Sequence, residues 1–199
     1  MYPLHNNNVI KWLYNIPVIP AANIFHLFSL NNFSVAKKIE KTNAARLLDR
    51  AKIAYELVPY EVDENNLAAT HVAEQLGEPI ERVYKTLVLR GDRTGHFVCI
   101  VQGDREVDLK AAAKVSGNKS AEMIPMKELL PTTGYIRGGC TAIGMKKRFP
   151  TFIDTTATAF DYIYVSAGVR GLQLKLNPTD LIAYVGAQVA DIESVAELE

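Results

Sequence analysis

The apolar positions change their spacing along the chain, and that spacing predicts a series of short strands and helices. Val83-Tyr84-Lys85-Thr86-Leu87-Val88-Leu89-Arg90 is rich in β-branched, aromatic and aliphatic residues and ends at the turn Gly91-Asp92-Arg93, so it reads as a strand. Strand side chains alternate between faces, which puts Val83, Lys85, Leu87 and Leu89 on one side and Tyr84, Thr86, Val88 and Arg90 on the other. A second run, His96 to Gln102, completes an antiparallel hairpin. Upstream, Thr42 is placed to cap a helix through Ile53, and Tyr55 to Val62 alternates as a strand that Pro59 marks as an edge or bulge. Leu67 to Leu76 reads as a helix closed by Gly77. Downstream, Asp108 caps Leu109 to Val115, Pro125 opens a helix over Met126 to Leu130, and Arg137 to Gly144 is a glycine-rich loop. Phe152 to Asp154 is a short strand and Thr155 to Phe160 a helical turn. Tyr162 to Ser166 and Leu172 to Leu176 are strands about the turn Ala167-Gly168-Val169-Arg170-Gly171. Asn177 or Thr179 caps a helix through Tyr184, and Val189 to Ile192 is a brief last segment. Strands and helices do not alternate as βαβ units. The pattern therefore predicts an α+β fold, a mixed sheet with flanking helices, and not a doubly wound one.

Residues 1–39 differ from this body. Asparagines are scattered among Ile, Phe, Leu and Pro, and we expect an N-terminal extension followed by one domain over 40–199. Its most apolar run, Val9 to Leu30, is broken by Lys11, Asn15, Pro17, Pro20, Asn23 and His26, too often for a membrane-spanning helix. No basic start and small-residue cleavage site frame it as a secretory signal. A cytoplasmic location without membrane contact is expected. Hydrophobic residues make up 48% and charged residues 22% of the chain, a soluble globular composition. Formal net charge is zero, which argues against coating nucleic acid by bulk charge. Cys99 and Cys140 are too far apart and too few for a disulfide framework or a zinc knuckle.

Two stretches carry candidate chemistry. Lys85 is the one charge on an otherwise aliphatic strand face. An ammonium is costly to bury without partners. It either lays its stem on apolar surface with its head in water, or lines a cleft that binds an anion or a carbonyl oxygen. The loop Gly134-Tyr135-Ile136-Arg137-Gly138-Gly139-Cys140-Thr141-Ala142-Ile143-Gly144 runs into Met145-Lys146-Lys147-Arg148-Phe149-Pro150. Glycine backbone approaches a ligand closely and offers unshielded N–H groups. A solvated, bent basic loop is the equally weighted alternative. The stretch is neither a Walker loop nor a dinucleotide fingerprint, because the Lys-Ser/Thr ending and the glycine spacing are absent. Cys140 as a nucleophile would need an activating base, and nothing places His5, His26, His71 or His96 beside it. The turn at Ser166 to Gly171 offers a hydroxyl, amides and the Arg170 guanidinium, or is simply a hairpin turn.

Taken in order, Val83-Tyr84-Lys85-Thr86-Leu87, Asp108-Leu109-Lys110, Thr133-Gly134-Tyr135, Gly138-Gly139, Gly144 to Pro150, Tyr164 to Leu172 and Pro178-Thr179-Asp180-Leu181 resemble the YbaK/EbsC family of trans-editing aminoacyl-tRNA deacylases. These are relatives of the editing domain of prolyl-tRNA synthetases, and the likeness is to the Cys-tRNA(Pro) deacylase type, over about Thr42 to Ile192. The resemblance implies a curved, largely antiparallel mixed sheet. It implies hydrolysis of the ester of Cys-tRNA(Pro), with Cys-tRNA(Cys) as a further substrate and the substrate's own thiol attacking its carbonyl. Lys85 matches the essential lysine; Tyr60, Thr86, Gly138, Gly139, Cys140, Thr141, Ser166, Gly168 and Arg170 fall at positions expected to surround the aminoacyl group. Lys146, Lys147 and Arg148 are candidates for tRNA phosphate contact, and prolyl-tRNA synthetase is the expected partner. No metal or other cofactor is called for. Three positions depart from the family: Ala142 where the loop has Pro, no phenylalanine near Leu67 and Ala68, and Gln173 in place of an aspartate. The same fold acting on Ala- or Ser-charged tRNA, a non-catalytic RNA-binding module and a hydrolase built on Cys140 are the alternatives.

Overall fold

The computed structural model describes residues 39–194. The expected extension, Ile39 apart, and the acidic end after Ser194 lie outside the described residues. The helices are α1 (Asn43–Ala51), α2 (Ala69–Leu76), α3 (Leu109–Val115), α4 (Met126–Thr133) and α5 (Pro178–Val185). The strands are β1 (Tyr55–Pro59), β2 (Tyr84–Gly91), β3 (Gly95–Gln102), β4 (Glu106–Val107), β5 (Ala121–Met123), β6 (Thr151–Asp154), β7 (Ile163–Ser166), β8 (Leu172–Leu176), β9 (Gln188–Ala190) and β10 (Glu193–Ser194).

The hairpin of β2 and β3 organises the molecule. Its register pairs Lys85 with Val101 and Leu87 with Cys99. β5 joins the outer edge of β2, and β6 and β9 extend the sheet in parallel beyond β3, giving the order β5-β2-β3-β6-β9. β1, β8 and β7 form an antiparallel sheet, linked to the start of β2 by a bridge between Val83 and Tyr164. β4 and β10 make a two-stranded ribbon. The α+β class and the mixed, mainly antiparallel pairing are those expected. The pairing is divided among three sheets, where the sequence pattern suggested a single one.

Both faces of the hairpin are covered. Tyr84 and Val88 join Val98, Ile100, Leu48, Ile153, Ile163, Leu174 and Leu181 in the main core. Leu89 faces a second core with Phe97, Cys99, Val101, Ala112 and Ile192, and Leu87 packs at its margin. Full burial of one such aliphatic side chain contributes about 1.5–3 kcal/mol. A one-residue slip of β2 would exchange its two sets of side chains and drive Lys85 into the main core. The register that satisfies the cores therefore also aims the lysine.

Helix starts follow local chemistry. Thr42 Oγ1 accepts from Ala45 N (3.2 Å), Asp108 Oδ1 from Lys110 N (2.8 Å) and Asn177 Oδ1 from Thr179 N (2.8 Å). Several boundaries differ from the sequence reading, among them the end of α1 at Ala51 instead of Ile53. β1 stops at Pro59 instead of Val62, after which Tyr60 N turns to Gly171 O. α2 starts at Ala69 instead of Leu67, because Asn66 Oδ1 takes the Ala68 N–H. α4 continues through Pro131 to Thr133 instead of ending at Leu130. Thr133 Oγ1 donates to Leu129 O, Gly134 N to Leu130 O, and Lys146 Nζ to Leu130 O and Pro131 O, so the last turn keeps its acceptors satisfied. β4, β5 and β10 are two or three residues long, too short to show any alternation. β10 is tied down by the buried Asp154, whose carboxylate accepts from Thr156 N (2.9 Å), Ile192 N (2.9 Å) and Glu193 N (3.1 Å). That anchor fixes the ribbon carrying Glu106.

Candidate active site

A cavity of about 600 Å³ is lined by Tyr84 to Val88 of β2 and by no residue of β3. β5 covers the outer edge of β2 only at Leu89 to Gly91, where Ile124 N then donates to Val88 O. From Lys85 to Leu87 that edge has no strand paired with it among the described residues. Antiparallel alternation turns the N–H and C=O of Thr86 toward it, as it does the C=O of Val88. The other walls are the entry to α2, Tyr60, Ser166 and Gln173 of β7 and β8, the loop at Arg137, Gly138 and Cys140, and the β5–α4 segment.

Lys85 stands on this wall with its side chain 25% exposed, and Nζ donates to Glu106 Oε1 at 2.9 Å. An ammonium carries three donors; among the described residues only this one is used. Glu106 lines the same cavity and is more exposed, at 63%.

The glycine loop is built against the turn at 167–171. Gly138 has φ +81°, and a Cβ there would meet Arg170 Cγ at 3.4 Å. Arg170 Nε donates to Arg137 O at 2.9 Å and fixes the loop from behind. Gly168, at φ +92°, lies under Tyr135, whose Cε1 would be 2.9 Å from an added Cβ. Tyr135 in turn donates to Ile143 O at 2.6 Å. Gly139 N donates to Ile136 O, whereas the N–H groups of Gly138 and Cys140 have no acceptor among the described residues. Ser166 Oγ accepts from Gly168 N at 3.2 Å, leaving its own proton to donate. Gln173 is buried across the ladder from Ser166, and its Oε1 has no partner among the described residues.

Of the residues singled out in the sequence, Tyr60, Lys85, Thr86, Gly138, Cys140 and Ser166 line the cavity. Gly139, Thr141, Gly168 and Arg170 are not on its wall but pack behind it; Thr141 Oγ1 accepts from Ile143 N at 3.4 Å. Lys146 is turned onto α4, and Lys147 and Arg148 line a separate cavity of about 350 Å³ with Asn43, Leu47 and Tyr184. Glu106 and the β5–α4 wall have no signal in the sequence pattern, because only the chain's return through β4 and β5 brings them here; Arg137 comes with the glycine-rich loop. Gln173 stood out solely as a departure.

Burial pushes the Cys140 thiol up to about 12, and it pushes the Tyr84 hydroxyl, which pairs with Thr156 Oγ1 at 3.0 Å, to about 12 as well. Both are neutral groups at neutral pH. No histidine lines the cavity among the described residues. The site offers an ammonium, uncommitted backbone donors and a carboxylate, arranged to bind and polarise a carbonyl.

The profile of the aminoacyl-tRNA editing domain matches residues 63–184. The chain is 46% identical over 156 residues to a protein of Enterococcus faecalis, provisionally named Cys-tRNA(Pro)/Cys-tRNA(Cys) deacylase EbsC, covering 78% of this chain and 95% of that one. It is 31% identical over 133 residues to proline–tRNA ligase of Cupriavidus necator, of which the match spans 23%. A crystal structure provisionally described as a trans-editing enzyme for prolyl tRNA synthetase superposes with TM-score 0.68 at 22% identity, over 78% of this chain and 99% of that one. The structure of APE2540 superposes with TM-score 0.69 at 19% identity, over 75% and 97%. At these identities the structural likeness speaks for the fold. With the sequence match over most of the body, the chain belongs to the aminoacyl-tRNA editing domain family.

Proposed function

We propose that this chain hydrolyses the ester joining a mischarged amino acid to the 3′ adenosine of tRNA, with Cys-tRNA(Pro) as its substrate and Cys-tRNA(Cys) as a second one. The observation that carries the reading is that Lys85 and the glycine loop line one cavity. The name borne by the Enterococcus relative supports the substrate.

In this reading the protein supplies no nucleophile. The thiol sulfur of the esterified cysteine bonds to its own carbonyl carbon, the bond from that carbon to the ribose oxygen breaks, and the thiol proton ends on the departing ribose oxygen. A cyclic thioester leaves and water later opens it. A neighbouring group already in place gains much of the advantage of proximity. The task left to the protein is to hold the ester and stabilise the developing oxyanion, for which the spare donors of Lys85 and the N–H groups of Gly138 and Cys140 are suited. Cys140 itself stays a protonated wall residue. Thr86 and Tyr60 bound the aminoacyl group, and Ser166 contributes a hydroxyl. Gly139, Thr141, Gly168 and Arg170 shape the wall from behind.

Lys147 and Arg148 are assigned to tRNA phosphates, whereas Lys146 serves as the cap of α4. A net charge of zero gives little long-range attraction for tRNA. Prolyl-tRNA synthetase is therefore taken as the partner that brings it, and tRNA binding with and without that enzyme measures this. Residues 1–39 are read as an extension to the editing domain, and the cytoplasm as its location. The central experiment is release of cysteine from Cys-tRNA(Pro) by the purified chain, beside Ala- and Ser-charged tRNA. Cysteine release above the spontaneous rate is expected. Cleavage of none of the three overturns the reading, and equal cleavage of all three overturns the thiol route.

A further inference from the structure

We propose that Glu106 is the acceptor for the α-ammonium of the bound amino acid, so that the Lys85–Glu106 pair reads an α-amino ester as one unit. This rests on the deacylase reading above.

An α-amino ester presents a cation and a carbonyl oxygen on adjacent carbons. The first needs an acceptor and the second a donor. The cavity wall holds both, with Lys85 Nζ and Glu106 Oε1 2.9 Å apart. A carboxylate has room for about four hydrogen bonds, and among the described residues Lys85 is the only donor to the Glu106 side chain. Hydrogen bonds between charged groups are roughly twice as strong as neutral ones. The backbone that carries it is also held in place: Glu106 pairs with Ser194 across the β4–β10 ribbon, and Asp108 N donates to Ile192 O at 2.8 Å just beyond.

The other acceptors on the wall are less suited. Asp63, whose Oδ1 accepts from Asn65 N at 2.9 Å, has no ammonium paired with it among the described residues, so it offers no donor for the adjacent carbonyl. Gln173 Oε1 has no partner among the described residues, but its amide is neutral. It is the rival acceptor, and the test includes it. An ester whose α-amine is acylated lacks the cation, so N-blocked aminoacyl-tRNA and peptidyl-tRNA are excluded as substrates.

The probe is adenosine carrying cysteine through a 3′-amide, with its α-amine either free or acetylated, titrated calorimetrically into the full chain. Wild type should prefer the free amine by about tenfold or more, the scale of one charge-assisted hydrogen bond. Glu106→Gln should fold as wild type, cut that preference below about threefold and raise KM for Cys-tRNA(Pro) more than it lowers kcat. Glu106→Gln keeping the full preference overturns the proposal. So does an equal loss of both probes, which would make Glu106 only a support for Lys85. So does erasure of the preference by Gln173→Leu while Glu106→Gln retains it. A wild type that cleaves Cys-tRNA(Pro) yet binds both probes equally overturns this proposal alone. A wild type that neither binds the probes nor cleaves any aminoacyl-tRNA overturns the deacylase reading together with it.

Discussion

Lys85→Met separates catalysis from folding at the centre of the site. Methionine keeps a long unbranched stem against Leu87 and the cavity wall but removes the ammonium. The ion pair lost is with a carboxylate that is 63% exposed. Pairs of that kind contribute about 0–1 kcal/mol, and the abandoned Glu106 is rehydrated where it stands. The change in unfolding free energy should therefore stay within about 1 kcal/mol. The catalytic loss is of another size. Removing one donor to a developing oxyanion costs about 2–4 kcal/mol. At 1.36 kcal/mol per tenfold, that is roughly 30- to 1000-fold in kcat/KM. Single-turnover release of labelled cysteine from Cys-tRNA(Pro), corrected for spontaneous hydrolysis, measures the rate, and urea denaturation of the same preparation measures stability. A variant that is fully folded and within threefold of wild type refutes the role of Lys85. A variant that loses activity only in step with several kcal/mol of stability refutes the separation of the two effects.

Cys140→Ser should keep deacylation within threefold and the wild-type thiol should resist iodoacetamide at neutral pH, because a thiol held near 12 has only about one part in 10⁵ as thiolate at pH 7; loss of activity in a folded variant would restore the nucleophile reading. Gly168→Ala combines a left-handed φ of +92° with a Cβ 2.9 Å from Tyr135 Cε1. A cost of about 2–4 kcal/mol in the urea transition is expected, and a change below 0.5 kcal/mol would mean that the two turns are not pinned as described. Glu193 is raised above its ordinary value of 4.5, chiefly by burial and further by Asp154. A carboxyl raised in the folded state adds stability below its unfolded value, and that stability is lost as pH rises through the folded value. Glu193→Gln should therefore be more stable than wild type at pH 7 but not at pH 4, and thermal melting curves whose difference is the same at both pH values would contradict it.

The sequence by itself determined the strand that carries Lys85, the face that residue shares with Leu87 and Leu89, its hairpin partner, and the helix caps at Thr42 and Asp108. All of these are written in spacings of a few residues, the range over which alternation and capping act. Its family resemblance also put Gly138 and Cys140 among the positions expected around an aminoacyl group, without any means of showing which neighbouring positions form the wall and which brace it. Only the tertiary structure decided that Gly139, Thr141, Gly168 and Arg170 stand behind the wall, that Lys146 is consumed as a cap, and that a helix runs on through Pro131 because partners far along the chain satisfy its last carbonyls. Glu106 is the clearest case. It sits 21 positions after Lys85 in a two-residue strand with no periodicity of its own, and it reaches the ammonium because Asp154 gathers the end of the chain and β10 pairs with β4. Long-range hydrogen bonds and the packing of two cores set that meeting, and neither leaves a trace in the order of apolar and polar residues.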